Sequence, residues 1–334
     1  MSINDVRDQM RMHLPDAPPD DLLLDGRRHY FGAKKKSWYR LHEDRTRGGT
    51  PVVLGWFGNF RSSYGQWRVE VDWKGISDDE RAAMRARQIE VERMHRAERA
   101  EAARLAGLSA GELWRSASRT GSSAYLTRKG VAGESCRYLR DGSVLIPLVR
   151  FDMPRGEALR GLQRIYPGPR GVDRHGDKLP EKVFTRGFDP TGAACRLGDV
   201  VPGRPLLVVE GYATGGTVRA ATGRLLPVFV ALNAGNLASV VQVLRGLFPE
   251  AAIVICGDDD WKTKDAAGKP DNVGRRKAID ASRQVDGCVP VFPAFGPNRA
   301  DGWTDFNDLM LAEGLPVVQR QLARVLAWVE GGQP

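Results

Sequence analysis

The sequence has few cysteines and no long apolar segment. Its four cysteines, Cys136, Cys195, Cys256 and Cys288, are far apart and form no Cys-x-x-Cys pair. This spacing argues against a zinc ribbon and a disulfide framework, and it fits a reducing cytosol. No run of about eighteen apolar residues occurs, and the acidic, mixed N-terminus lacks the apolar core of a signal peptide. We therefore expect a cytoplasmic protein with no membrane partner.

The positive charge is unevenly distributed along the chain. The net charge is +9, and residues 1–203 contain 36 Lys and Arg against 27 Asp and Glu, whereas residues 204–334 contain 14 of each. A basic part joined to a neutral part suggests that the basic part binds a polyanion. The alternative is a generally soluble, arginine-rich protein whose charge has no specific partner.

The first 110 residues are predicted to form a small module and a charged helix. Residues 28–74 contain short runs of β-forming residues between Gly-rich turns, which predicts a β-rich module. Residues 77–108 have a helical pattern with seven basic and seven acidic residues and few apolar ones. Ser77 and Glu80 match a capping box at its start. We expect this helix to be a largely solvated linker.

The remainder of the chain is predicted to contain two further segments. Between 111 and 203 we expect a mixed α/β segment, with a helix near 112–118 and a hairpin that turns at Asp141-Gly142. From residue 204 onward, near-continuous apolar strands alternate with helices, which is typical of a parallel sheet covered by helices on both faces. The predicted division is 1–76 for the β-rich module, 77–110 for the linker, 111–203 for the mixed segment, and 204–334 for the α/β domain.

Acidic and amide side chains follow the predicted strands of this last domain. Glu210 follows the first strand, Asn233–Asn236 the second, and Asp258–Asp260 the third, while Asp305–Asp308 follow the fourth after a loop. Ligands bind open α/β sheets at the carboxyl ends of the strands. In an extended chain Asp258 and Asp260 would point the same way, and such carboxylates suit Mg²⁺. The alternative is that these acids cap helices or solvate turns.

These motifs resemble the TOPRIM domain of bacterial primases, topoisomerases and related nucleases. That family has a glutamate after its first strand and Asp-x-Asp after its third, at the places where this chain has LLVVEGYATGGTVRAATG and IVICGDDD. With LNAGNLASV, DNVGRRKAID and WTDFNDLML, the details are closest to primases of plasmids, phages and integrative elements. The resemblance covers about residues 204–315. It implies a Rossmann-like TOPRIM parallel sheet with helices on both faces.

The upstream segment also resembles the N-terminal subdomain of primase catalytic cores. AYLTRKGV resembles its start, and GDKLPEKVFTRG resembles a lysine-bearing loop. The resemblance implies a basic track for template or nucleotide, although ordinary surface charge is the alternative at each position. The candidates are Arg128, Lys129, Arg164, Lys182, Lys262 and Lys277.

Replicative primases carry a zinc-binding module, which this sequence lacks. No metal-spaced Cys/His set and no Walker A motif is present, so we expect neither a zinc module nor a fused helicase motor, and any helicase would be a separate partner. The 1–76 module could replace the zinc module by stacking aromatic rings on single-stranded bases. The alternative is that these aromatics form its core. The side chains concerned are Lys34, Lys35, Lys36, Trp38, Tyr39, Trp56, Phe60, Tyr64 and Trp67.

The resemblance implies synthesis of short RNA primers on single-stranded DNA from nucleoside triphosphates. Mg²⁺, or Mn²⁺, would be the cofactor, with two ions clamping the triphosphate and the attacking 3′-hydroxyl. Asp258 and Asp260 would hold metal, Asp305 or Asp308 would add ligands, and Glu210 would be a general base or a further ligand. A TOPRIM nuclease and a non-catalytic single-stranded-DNA-binding accessory are the alternative functions.

Overall fold

The structure is a computed structural model that describes residues 3–32, 35–59, 65–73, 76–174, 176–264 and 268–331. The chain divides into two compact units. The first comprises residues 1–100 with 264–269, and the second comprises residues 101–263 with 270–334. No helix in these described ranges is both long enough and apolar enough to cross a membrane.

The first unit contains an antiparallel sheet, a helix packed on it, and the first turns of a longer helix. The burial of Val6, Met10, Leu41 and Phe57 joins the helix to the sheet in a small apolar core. Trp38 and Tyr39 are also buried, so these two aromatics serve the core, whereas Trp56 and Trp67 are half-exposed. Lys34, Phe60 and Tyr64 lie outside the described residues. The elements are α1 (Ile3–His13), β1 (His29–Phe31), β2 (Ser37–Arg45), β3 (Pro51–Asn59) and β4 (Gln66–Arg68), with the sheet in that strand order.

A single long helix, α2 (Asp78–Ser116), follows the first sheet. The predicted capping box is confirmed, since the Ser77 hydroxyl accepts from the Glu80 amide and the Glu80 carboxylate accepts from the Ser77 amide. The separate helix predicted near 112–118 is wrong, because α2 continues to Ser116 without a break. Gly107 lies inside it, where a side-chain carbon would come 2.7 Å from the Leu159 carbonyl oxygen. Close packing therefore accounts for this glycine.

A second antiparallel sheet opens the second unit. Helix α3 (Ala124–Lys129) ends at Gly130, whose φ of 62° is the left-handed conformation that glycine favours. The predicted turn at Asp141-Gly142 is confirmed, and Gly142 also has a positive φ of 78°. Four strands follow one another in sheet order, namely β5 (Arg137–Tyr138), β6 (Val144–Val149), β7 (Leu159–Ile165) and β8 (Lys182–Phe184).

The third sheet is mainly parallel and has helices on both faces. The strands are β9 (Cys195–Leu197), β10 (Leu206–Val209), β11 (Val228–Val230), β12 (Ile253–Cys256) and β13 (Cys288–Val291). Their order in the sheet is β13-β12-β10-β11-β9, with parallel pairing except for β9, which pairs antiparallel with β11. Edge strand β9 precedes residue 204, so the sheet takes one strand from the segment before it.

The alternation of side chains along each strand assigns them to two cores. Leu207, Val209 and Cys256 belong to one apolar cluster with the helix after β10 and the two helices after β13, whereas Val208 and Ile255 belong to the other with the helices after β11 and β12. Strands buried on both faces explain the near-continuous apolar runs in the sequence. The helices are α4 (Tyr212–Ala221), α5 (Leu237–Leu247), α6 (Val273–Gln284), α7 (Phe306–Glu313) and α8 (Leu315–Glu330), and a short 3-10 helix spans Ala234–Asn236.

The Asn236 side chain has a structural role, because its hydrogen bonds go to backbone groups and not to the acids at the strand ends. Its buried amide donates to the carbonyl oxygens of Ala193 and Ala231 at 2.9 and 3.0 Å. Its oxygen accepts from the Gly192 amide at 2.8 Å. The side chain thereby ties the segment before β9 to the end of β11.

We predict that Asn236→Ala destabilises the protein, because it leaves three buried backbone groups without partners. Loss of these bonds should lower the free energy of unfolding by about 2–3 kcal/mol. The control is Asn233→Ala, because the Asn233 side chain makes no cap hydrogen bond and its removal should change stability by less than about 0.5 kcal/mol. Chemical denaturation measures both, and equal stabilities for the two variants would contradict the assignment.

Candidate active site

Glu210 and Asp258 lie side by side at the carboxyl ends of two neighbouring strands. Strands β10 and β12 are parallel, with Val209 opposite Cys256. Glu210 directly follows β10, and Asp258 comes two residues after β12. Because paired strands are about 4.8 Å apart, the register alone brings these two carboxylates together at one edge of the sheet.

Burial and mutual repulsion act strongly on these two carboxylates. Burial, followed by the charge of Asp260, raises the pKa of Glu210 to about 7. Burial, followed by the charge of Glu210, raises the pKa of Asp258 to about 9. Among the described residues, Asp258 Oδ1 is buried without a hydrogen-bond partner. A bound cation would therefore stabilise the ionised form of both carboxylates.

Asp259 has a different environment from the acids on either side of it. Its carboxylate accepts from Arg275 at 2.8 Å, Arg299 at 2.6 Å and Asn272 at 2.7 Å. Burial alone would raise the pKa of Asp259, but these hydrogen bonds hold it below its usual value. Asp259 is therefore a paired structural acid.

The Asp260 carboxylate contacts the first turn of α6. It accepts from the Gly274 amide at 2.9 Å. A side-chain carbon at Gly274 would come 2.7 Å from the Asp258 carbonyl oxygen, so glycine permits this close approach. The expectation that Asp258 and Asp260 share a direction through strand alternation rests on a wrong premise. Strand β12 ends at Cys256, and the Trp261 amide donates to the Asp259 carbonyl in a tight turn.

Gly211, which follows Glu210, has φ −97° and ψ 151°, an extended conformation that any residue can adopt. The chain enters α4 without needing the conformational freedom of glycine at this position.

One guanidinium joins the Asp258–Asp260 segment to the loop before α7. Arg299 donates to the Asp259 carbonyl oxygen at 2.7 Å as well as to its carboxylate. The same guanidinium donates to the Trp303 carbonyl oxygen at 2.7 and 2.9 Å. The Asp259 amide also donates to the Thr304 carbonyl at 2.7 Å. Arg299 thus fixes the spacing between the two acidic segments.

Asp305 and Asp308 form the capping box of α7. Asp305 accepts from the Asp308 amide at 2.8 Å, and its other oxygen accepts from the Thr214 hydroxyl at 2.9 Å. Burial, followed by the charge of Asp308, raises the pKa of Asp305. Both acids also act electrostatically on Asp258. Capping explains why acids stand here, and their role as metal ligands remains a prediction. Glu210, Asp258, Asp260, Asp305 and Asp308 are called the acidic cluster below.

Two of the predicted basic residues lie beside the acidic cluster. Lys129, at the end of α3, has its ammonium 3.6 Å from Asp308 Oδ1. Lys182 begins β8, rather than lying in the loop that the sequence suggested. Burial, followed by the charge of Lys129, lowers the pKa of Lys182, while Asp305, Glu210 and Asp258 oppose this shift. Both lysines come from the segment upstream of the parallel sheet.

The other predicted basic residues have contacts away from the acidic cluster or none with its members among those described. Arg128 pairs with Glu181 at 3.5 Å, and Arg164 pairs with Asp141 and lies 4.3 Å from the ring centre of Tyr166. Lys262 pairs with Asp301 at 3.4 Å. Lys277 is half-buried on α6. Their roles in binding nucleic acid or nucleotide remain predictions.

The sequence interpretation missed the side chains that hold the acids in place. Arg299 lies in an irregular loop without a recognisable pattern, and its partner Asp259 is 40 residues earlier in the chain. Thr214 lies within the EGYATG motif, so that motif contained a signal for it. Asn307 joins α7 to α3, because its amide donates to the Lys129 carbonyl at 2.7 Å and to the Thr217 hydroxyl at 3.0 Å.

The chemistry of the acidic cluster fits a hard divalent cation. Carboxylate oxygens are the ligands that Mg²⁺ prefers, and Asp258 Oδ1 is a buried oxygen without a partner in the described chain. Within those residues, however, no three Asp, Glu, His or Cys side chains are arranged to hold a metal ion as they stand. Binding a cation would therefore require these side chains to rotate towards it.

A scan against models of known protein families found no match for the sequence. Two Escherichia coli proteins named DNA primase TraC match part of the chain, one with 40% identity over 102 residues and one with 37% over 111. These segments are 30% and 33% of this chain but 9% and 7% of the relatives. The chain therefore spans less than a tenth of their length. The resemblance to plasmid-type primases drawn from the motifs is confirmed.

Two solved structures also align with the chain. The primase fragment of the bacteriophage T7 primase-helicase protein has a TM-score of 0.38 and 14% identity, over 60% of this chain and 74% of that one. T7 primase domains bound to an RNA/DNA hybrid and dTTP, with the lagging-strand DNA polymerase, give a TM-score of 0.36 and 15% identity. The latter alignment covers 62% of this chain and 91% of that chain.

We predict that stability falls with rising pH when divalent cations are removed. An unfolded aspartate has a pKa of about 3.9, whereas Asp258 in the folded chain has a pKa of about 9. Between these values the folded state binds more protons, so the free energy of unfolding decreases as pH rises. In EDTA, the wild-type protein should lose stability relative to Asp258→Asn between about pH 5 and pH 9. Mg²⁺ should reduce the loss, and parallel pH curves would contradict the prediction.

Proposed function

We propose that the chain is a primase that makes short RNA primers on single-stranded DNA by Mg²⁺-dependent nucleotidyl transfer. In this proposal the segment 204–334 is a TOPRIM domain. The main support is the pairing of β10 with β12, which places Glu210 beside Asp258 and its unpartnered buried oxygen. The sequence similarity to DNA primase TraC adds to it.

Glu210, Asp258 and Asp260 would hold Mg²⁺ or Mn²⁺, with Asp305 and Asp308 as candidate further ligands. The ion, when bound, supplies positive charge that polarises phosphate oxygens and favours an ionised hydroxyl. Asp259 would not take part directly, because its oxygens are occupied by Arg275, Arg299 and Asn272.

Glu210 is the candidate general base. Burial raises the pKa of Glu210 to about 7, and a bound cation would lower it again, so that the carboxylate would be ionised and able to accept the proton of a primer 3′-hydroxyl. Its backbone is held by the hydrogen bond from the Leu232 amide to its carbonyl oxygen at 2.7 Å. Glu210 would therefore accept the proton from a fixed position.

Lys182 and Lys129 are the candidates for holding the negative charge of a nucleoside triphosphate or the template backbone. Both lie within electrostatic range of the acidic cluster. Arg128, Arg164, Lys262 and Lys277 would contribute to the wider basic surface, and a separate helicase would supply the unwound template. Because the net positive charge lies before residue 204, template binding should weaken as salt rises.

We predict that Glu210→Gln binds template and nucleotide but makes few primers, because the amide keeps the shape of the side chain and cannot accept the proton. Synthesis should fall at least about 100-fold, and Mn²⁺ should restore it poorly. The assay combines single-stranded DNA, Mg²⁺ and labelled nucleotides. The matched control is Glu250→Gln, an exposed residue before β12, which should prime normally.

The same assay separates the rival functions. Asp258→Asn and Asp260→Asn should abolish synthesis while the protein stays folded, because each removes a charged ligand. Cleavage of the template by the wild-type protein would indicate a nuclease, and neither reaction would indicate a binding accessory. Wild-type priming by Glu210→Gln across the pH range would contradict the proposed role of Glu210.

We further predict that Arg299→Lys slows primer synthesis without preventing folding. A lysine cannot make the four hydrogen bonds to Asp259 and Trp303 that the guanidinium makes, so the acidic segments should lose their spacing. A displacement of this kind should lower kcat roughly 10- to 100-fold and change the KM for nucleotide little. The control is Arg275→Lys, which loses a single half-exposed contact with Asp259. An equal effect of both variants on kcat would contradict a positioning role for Arg299.

A further inference from the structure

A cavity of about 690 Å³ lies within the first unit. Its walls come from four places in that unit, namely α1, Leu54 on β3, β4 with the residues that follow it, and the first turns of α2. All the lining residues fall between residues 9 and 88. The cavity therefore belongs to the first unit, whereas the acidic cluster belongs to the second.

One wall is a single face of α2. Arg81, Met84, Arg85 and Gln88 all line the cavity, and their spacing of three and four residues places them on one side of the helix. Arg81 is anchored, since it donates to the carbonyl oxygens of Trp73 and Ile76 at 3.2 and 3.1 Å. Arg85 is exposed. This face presents two guanidinium groups and an amide around one buried methionine.

The facing wall presents two half-buried tryptophans. Trp67 stacks on His13 with 5.1 Å between ring centres, which fixes its plane. The Arg81 guanidinium lies 6.0 Å from the ring centre of Trp73. The Gln9 side chain holds this wall to α1, because it exchanges two 2.9 Å hydrogen bonds with the backbone of Glu70. The stacking contact orients Trp67, and the Gln9 hydrogen bonds fix the backbone between the two tryptophans.

The charge of the lining favours an anion. Arg68, Arg81 and Arg85 line the cavity together with a single carboxylate, Glu70. Aromatic rings beside guanidinium groups are the usual means of binding unpaired bases and their phosphates. A duplex hides the faces of its bases, and a cavity of this size is that of a small-ligand pocket. These features favour one or two unpaired nucleotides.

We propose that this cavity binds a segment of single-stranded nucleic acid, with Trp73 stacking on a base and Arg85 contacting a phosphate. The site does not depend on catalysis at the acidic cluster, so it can be tested without Mg²⁺ or nucleoside triphosphates. If the chain made no primers, this proposal would still hold. If the cavity bound no single strand, the proposed primase activity would still hold.

The test measures the affinity of the full chain for a labelled oligo(dT) by fluorescence anisotropy at several salt concentrations. Arg85→Ala should weaken binding and reduce the slope of log affinity against log salt by about 0.7, the effect of one phosphate contact on a single strand. The matched control is Arg93→Ala on the same helix, which removes an equal charge outside the cavity, where Arg93 pairs with Glu90 at 2.7 Å. The control should keep the wild-type slope.

A second variant tests the stacking contact. Trp73→Leu keeps an apolar side chain and removes the ring, and it should weaken binding about fivefold or more. If this variant does not fold, as judged by thermal unfolding, Trp73→Phe replaces it and should retain most of the affinity. Photo-crosslinking of a 5-iodouracil oligonucleotide should mark peptides between residues 66 and 73.

Several outcomes would overturn the proposal. If the two variants Arg85→Ala and Arg93→Ala bound oligo(dT) with the same affinity and the same salt slope, the phosphate contact of Arg85 would be excluded. Binding of duplex DNA as tight as that of oligo(dT) would exclude an unpaired base. Displacement of the oligonucleotide by millimolar free dTTP through the same residues would instead assign the cavity to a mononucleotide.

Discussion

The parallel pairing of β10 with β12 is the constraint on which the candidate site depends. It sets Glu210 beside Asp258 at one edge of the sheet, where burial and like charge disfavour both ionised forms. Two apolar cores, one on each face of the sheet, hold this register rigidly. The backbone therefore keeps the two acids close together, and protonation or a bound cation would relieve their repulsion.

Polar side chains around the acidic cluster hold its backbone segments in place. Arg275 and Arg299 form ion pairs with Asp259, and Arg299 also donates to the Trp303 carbonyl oxygen shortly before α7. Asp305 and Asp308 cap α7, and Asn307 fastens the same helix to the end of α3. Through these bonds the basic end of α3 and the acidic edge of the sheet are held together within the second unit.

The first unit differs from the second in its surface chemistry. Its cavity combines aromatic rings with guanidinium groups, whereas the edge of the parallel sheet is rich in carboxylates. Cationic and aromatic surfaces suit polyanions, and clustered carboxylates suit divalent cations. In the functions proposed, the first unit would bind single-stranded nucleic acid and the second would catalyse nucleotidyl transfer.

The sequence by itself determined the strands and helices that follow residue 204. Buried strands read as continuous apolar runs, and helix starts carry local signals such as Ser77 with Glu80, so the order of strands and helices after residue 204 followed from short-range patterns. It also identified the acids at the strand ends. Only the tertiary structure decided which acids are paired, because Asp258, Asp259 and Asp260 are chemically identical in sequence. The distant Arg299, the Gly274 amide and the packing around Asp258 give each a different environment. These long-range contacts leave no periodic signal in the chain, and they alone separate a structural acid from a candidate ligand.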